Sequence, residues 1–197
     1  HLRARCDETG ALLIFDEIQT GVGRSGKLWA HQWDGVTPDA MTLAKGLGCG
    51  FPIGALLVAE AAAQTLDFGS HGTTFGGNPL AAAVARAVLG KVRSPALLEN
   101  VERQSQALRS GLRALDEKHG VFAQLRGRGL MLGAVLRPEF AGRAAEILDH
   151  AAHAGLLLLQ AGPDVLRFVP ALNITETDVA EGLARLDAAL AAWRGQR

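Results

Sequence analysis

Residues 11–27 read ALLIFDEIQTGVGRSGK, and the opening of this stretch decides the fold class. Ala11 to Phe15 is a continuous apolar run that stops abruptly at Asp16-Glu17. A short run with no polar interruption reads as a strand buried on both faces, and such strands belong to parallel sheets covered by helices. Gly21 to Lys27 then reads as a glycine-rich loop. The pattern recurs downstream. Leu28 to Trp33 reads as a short helix closed by Asp34-Gly35, Pro38 to Leu43 as a second strand, and Ile53 to Ala59 as a third. Strands alternating with helical or looped connections are the α/β signature.

A second polar, glycine-rich loop covers Gly69 to Asn78. Pro79, at a first helical turn where proline costs little, opens a helix to about Arg93. Pro95 opens another to about His119, with Leu98, Val101, Leu108, Leu112 and Leu115 forming one apolar stripe. Beyond Gly120 the style changes. Val121 to Leu125 and Leu130 to Leu136 read as strands around Arg126-Gly-Arg-Gly129. A helix follows over 142–154 with Gly155 as its cap, then strands at Leu156 to Leu159 and Val165 to Val169. Thr175, with Asp178 three residues on, opens a last helix to about Trp193 in the manner of a capping box. The expected organisation is residues 1–93 as part of a large α/β domain with a mixed or parallel sheet, and 94–197 as a small α+β domain. No internal repeat or low-complexity tract is visible.

Composition narrows the function classes. The 197 residues are 48% hydrophobic and 20% charged, an ordinary globular balance. Zero formal net charge gives no electrostatic case for nucleic acid or anionic membrane. The longest apolar runs are too short to span a bilayer. Cys6 and Cys49 are distant and unpatterned, which reads as reduced thiols in a cytoplasmic protein; Cys49 reads as a small, partly buried residue. The chain starts at His1 in what reads as the end of a helix, so a fragment of a longer protein is expected.

Two residues carry the chemical signal. Asp16 ends the most hydrophobic strand, where a carboxylate is costly unless a cation meets it. Lys45 follows a short strand and sits among glycines in residues 43–54, LAKGLGCGFPIG, where backbone can approach a flat ligand closely. Taken singly, each has a plain reading as a loop carboxylate or a surface lysine. Together they suit a ring cofactor bearing an aldehyde and a basic ring nitrogen, with the lysine as Schiff-base partner and the acid opposite the nitrogen. If the first strand continues, Ile18 shares the face of Asp16 and presses on the ring, while Gln19 reaches the ring hydroxyl oxygen.

Residues 16–26 (DEIQTGVGRSG), Lys45, and residues 69–79 (GSHGTTFGGNP) closely resemble, in this order, the class III (ornithine-type) aminotransferases. The resemblance covers the whole chain and implies the pyridoxal 5′-phosphate (PLP) transferase fold of type I, of which this would be the carboxyl-terminal half. It implies that Lys45 forms the Schiff base and Asp16 contacts the pyridine nitrogen. It puts Gln19 near the ring hydroxyl, unlike the glutamate-semialdehyde aminomutases, and Thr74 on the PLP phosphate of the other subunit of a homodimer. Residues 69–74 and 161–170 (AGPDVLRFVP) look most like the branch acting on acetylated or succinylated ornithine. There the match to Thr73 touches substrate and the match to Arg167 takes a substrate carboxylate, a task suited to the planar guanidinium fork. Arg126 and Arg128 are expected to be structural, and His71 a hydrogen-bonding loop residue. The implied activity is transamination between an ω-amino substrate and 2-oxoglutarate in arginine metabolism, with this piece inactive alone. An aminomutase or decarboxylase on the same fold, or a truncated non-catalytic product, are the alternatives.

Overall fold

The computed structural model describes residues 1–195 and divides the chain into two compact units, His1–Leu98 and Glu99 onward. In the first unit, helix α1 (Leu2–Thr9) ends at Gly10, whose left-handed backbone (φ 70°) closes it. Strand β1 (Ile14–Asp16) lies parallel to β2 (Ala40–Leu43), and β2 lies antiparallel to β3 (Ala55–Val58), giving the order β1-β2-β3. The sheet is therefore mixed. A four-residue helical turn, α2 (Glu60–Ala63), and the long α3 (Pro79–Val92) follow. Asn78 caps α3, its side chain accepting from the Ala81 N–H at 2.9 Å.

β1 is shorter than the apolar run that announced it. The Leu13 carbonyl accepts from the Asp39 and Ala40 amides, but its N–H donates to the Asp39 carboxylate, so a side chain takes the donor that a strand ladder would have paired. Burial also departs from expectation. Leu13, Met41 and Leu43 are buried, but Ile14 is 57% exposed and Leu56 52% exposed. Of the strands expected to be covered on both faces, β1 has Ile14 exposed and Phe15 half-buried. β3 exposes both Leu56 and its neighbour Leu57, which point to opposite faces, so the described residues enclose neither face of β3.

In the second unit the bulk of α4 (Pro95–His119) packs with α5 (Ala144–His153) and α6 (Glu176–Gly195) on a four-stranded antiparallel sheet. Its strands are β4 (Phe122–Arg128), β5 (Met131–Leu136), β6 (Leu159–Gln160) and β7 (Val165–Phe168), in the order β4-β5-β7-β6. The core is continuous: Leu112, Ile147, Leu166, Leu186 and Leu190 are fully enclosed, and Phe140 meets Trp193 edge to face. Thr175 and Asp178 cap α6 reciprocally, the Thr175 N–H donating to the carboxylate and the Asp178 N–H to the threonine hydroxyl. β4 runs through Arg126 to Arg128, so both arginines are strand residues and not part of the turn. The expected strand over Leu156 to Leu159 shrinks to β6, because the Leu156 N–H returns to the Ala151 carbonyl at the end of α5.

Candidate active site

Asp16 and Lys45 come to neighbouring strand ends. Asp16 is the last residue of β1 and pairs with Thr42 in the parallel register; Lys45 begins a short 3-10 turn three residues after Thr42. Open parallel strands bind ligands beyond their carboxyl ends, and both residues lie at that end. The Asp16 carboxylate is fixed through one oxygen. Oδ1 accepts from the Ile18 N–H at 2.9 Å and from the Thr42 hydroxyl at 3.2 Å. β1 does not continue to Ile18. The chain turns at Glu17, so Ile18 reaches Asp16 through its backbone and the alternation argument for its side chain no longer applies. Gln19 is exposed in the same turn.

The lysine turn holds an uncommon backbone. Lys45 (φ 40°) and Cys49 (φ 47°) both lie in the left-handed region, as does Val22 (φ 52°) in the glycine-rich loop. Non-glycine residues rarely adopt it, and such strain gathers at functional sites. A side chain at Gly48 would put its Cβ 2.0 Å from the Phe51 carbonyl oxygen, so only glycine permits this turn. The turn leaves Cys49 exposed, not partly buried as expected, while Cys6 is half-buried.

Glu17 went unnoticed in the sequence and organises the loop. It is 2% exposed, and its carboxylate accepts from the Ala30 N–H (2.7 Å), the His31 N–H (2.8 Å) and His31 Nδ1 (2.9 Å). Its own N–H donates to the Thr42 carbonyl at 3.0 Å. A buried carboxylate with this many donors is satisfied, and it ties the start of the 3-10 helix Ala30–Trp33, just past the glycine-rich loop, to the Asp16–Lys45 corner. The only hint in the sequence was a second acid beside Asp16; its partners lie 13 and 14 residues away, at the start of that short 3-10 helix.

His71, Thr73 and Thr74 are exposed on the Gly69–Asn78 loop. Arg167 belongs to the second unit, on β7 opposite Gly133, where it helps line an apolar cavity of about 260 Å³ with Leu158, Leu159, Phe168 and Leu183. Its Nη2 is buried with no hydrogen-bond partner among the described residues. Arg126 and Arg128 are exposed. No group of three potential metal-ligating side chains occurs among the described residues, and no described helix is long and apolar enough to cross a membrane.

The profile of the class-III aminotransferases matches residues 1–190. This chain belongs to that family. It is 65% identical over 195 residues to the acetylornithine aminotransferase of Xanthomonas campestris, covering 99% of this chain and 48% of that protein. It is 55% identical to the succinylornithine transaminase of Yersinia pseudotuberculosis, covering 94% of this chain and 45% of that one. Among solved structures it superimposes on the N-acetylornithine aminotransferase of Stenotrophomonas maltophilia with a TM-score of 0.92 at 59% identity, over 100% of this chain and 51% of that one. The ornithine aminotransferase of Toxoplasma gondii, described with PLP at its active site, gives 0.90 at 33% identity, over 98% of this chain and 46% of its own. The fold, a mixed sheet followed by an antiparallel α+β unit, is that of type I PLP-dependent aminotransferases. The chain spans about half the length of the curated relatives it matches.

Proposed function

We propose that the intact protein is a PLP-dependent aminotransferase acting on N-acetylornithine, succinylornithine or a similar ω-amino substrate, with 2-oxoglutarate as amino acceptor. The observation that carries this reading is the pairing of Asp16 and Lys45 at adjacent strand ends, one acid and one primary amine on a shared edge. The residues fit the cofactor. An amine among glycines can carry the carbonyl group, and a fixed carboxylate can face a ring cation. When bound, PLP supplies an electron sink for carbanion chemistry.

The chain's own residues have distinct tasks in this reading. Lys45 holds the cofactor and, once released, its amine takes and returns the proton that moves during transamination. Asp16 keeps the ring nitrogen charged. Ile18 and Gln19 flank the ring, and Thr74 serves the phosphate of the neighbouring subunit in a homodimer. Thr73 touches substrate, and Arg167 holds a substrate carboxylate with its planar fork, which accords with the unpartnered Nη2. The two free cysteines suit the reducing cytoplasm. The substrate branch rests on the 65% and 55% identities to acetylornithine and succinylornithine enzymes.

The test is a substrate profile of the intact protein loaded with PLP. N-Acetylornithine and succinylornithine are offered as amino donors beside glutamate-1-semialdehyde and free amino acids. Turnover dependent on 2-oxoglutarate with the acylated ornithines is expected. Isomerisation or carbon dioxide release without an acceptor would replace this reading with an aminomutase or a decarboxylase.

A further inference from the structure

We infer that Thr42 is a positioning residue that aims the Asp16 carboxylate at the cofactor ring. The inference rests on the cofactor reading of Asp16 given above. Thr42 stands directly opposite Asp16 in the β1–β2 register. Its hydroxyl donates to Asp16 Oδ1 at 3.2 Å, and the Ile18 N–H donates to the same oxygen at 2.9 Å. Among the described residues both bonds to this side chain fall on Oδ1, which leaves Oδ2 as the free acceptor.

One donor would not be enough. Asp16 is exposed at a strand end, and the terminal torsion of an aspartate is broad. A carboxylate held by the Ile18 N–H alone pivots about that contact. A second donor from a different strand removes the pivot. Thr42 is well suited to this task because its β-branched side chain has few rotamers, so its hydroxyl arrives already directed. The sheet does not demand a hydroxyl there. Valine has the same shape and favours strands at least as well, so the oxygen is an addition to what the fold needs.

Thr42 also links the acid to the amine. Its carbonyl accepts from the Glu17 N–H at 3.0 Å while its hydroxyl holds Asp16, so one residue of β2 grips two consecutive residues of the β1 end. Three residues later the same strand delivers Lys45. The separation of carboxylate and amine is thus set from a single piece of backbone.

The experiment uses the intact protein and compares wild type, Thr42→Val, Thr42→Ser and Asp16→Asn. Two quantities are read apart from turnover: the dissociation constant of PLP, and the NMR shift of an isotope-labelled ring nitrogen in the bound cofactor, which reports its protonation. Loss of one hydrogen bond to a charged group predicts PLP binding about tenfold weaker in Thr42→Val. The nitrogen signal should shift toward that of Asp16→Asn, and Thr42→Ser should restore both readings. Thr42→Ala replaces Thr42→Val if the latter does not fold. An unchanged nitrogen signal in Thr42→Val, or an equal loss in Thr42→Ser, overturns the inference and leaves Asp16 intact as the ring partner. An Asp16→Asn protein identical to wild type in both readings overturns the cofactor reading itself.

Discussion

The two units of this chain differ in how they use their residues. The second closes a core around Leu112, Ile147, Leu166 and Leu190, all fully enclosed, and caps its last helix with a reciprocal pair. The first keeps Ile14 and Leu56 more than half exposed, holds three non-glycine residues in the left-handed region, and buries a carboxylate to pin a loop. The unit that is better packed contributes one proposed site residue, Arg167. The unit with strained backbone and open apolar strands contributes the rest. Backbone strain, exposed apolar side chains and a buried carboxylate each cost free energy, and the surrounding structure must offset them.

The largest effect expected from breaking this contrast lies at Lys45. In the intact protein, Lys45→Ala should abolish the visible absorbance of the bound cofactor and reduce turnover to background, because only a primary amine can make the covalent link. Titration with PLP followed by absorbance checks it. A band that persists would move the linkage to another lysine.

Next comes association. Exposed apolar strands invite it, so the 197-residue chain expressed alone should self-associate and show no steady transaminase turnover. A piece beginning at Glu99, with its closed core, should stay monomeric in the same buffer. Light scattering on the two pieces decides. A monomeric, active 197-residue chain would show that the contrast between the units has no consequence in solution.

A smaller effect is expected at Arg167. Arg167→Lys in the intact protein should raise the Michaelis constants for amino donor and oxo acid about ten- to a hundredfold while PLP binding holds. Lysine keeps the charge and loses the fork, worth about 1.5–3 kcal/mol for a charge-assisted hydrogen bond. A lowered melting temperature with unchanged constants would make Arg167 part of the second unit's scaffold.

Much of this was legible in the sequence where local pattern and tertiary outcome coincide. Of the stripe read on α4, Val101, Leu108, Leu112 and Leu115 are buried and Leu98, in the first turn, is half-buried. Asp16 and Lys45 stood out because each sits where a strand gives way to turn residues. What stayed hidden depends on distant partners. Nothing near Glu17 announces that Ala30 and His31 will meet its carboxylate, and nothing near Leu13 announces that the Asp39 carboxylate will take its N–H. The length of β4 was missed for a related reason. Glycines read as turn, yet Gly127 (φ 110°) sits within the strand, where a Cβ would lie 2.0 Å from the Met131 carbonyl oxygen. The burial of β1 and β3 was read from a rule for completely covered sheets, and the described residues leave Ile14 of β1 and both Leu56 and Leu57 of β3 exposed.

The smallest expected effect tests whether the second unit draws on electrostatics at all. Asp187 on α6 accepts from Lys118 Nζ and His119 Nε2 on α4, both at 2.6 Å. These partners, Lys118 foremost, hold its carboxyl below the ordinary aspartate range. A carboxyl with a lowered folded-state pKa adds stability above its unfolded value, and loses it as pH falls through the folded value. The carboxylate is about a third exposed and solvent screens it, so Asp187→Asn should cost only about 0.5–1 kcal/mol at neutral pH. The difference between mutant and wild type should shrink in strong salt and disappear in acid below the folded-state pKa, where the wild-type carboxyl is protonated too. Urea denaturation of the intact protein at neutral and acid pH, each at low and high salt, measures this. A penalty of the same size under all four conditions would mean that Asp187 acts through packing and hydrogen-bond shape, and that the second unit's stability owes nothing measurable to this ion pair.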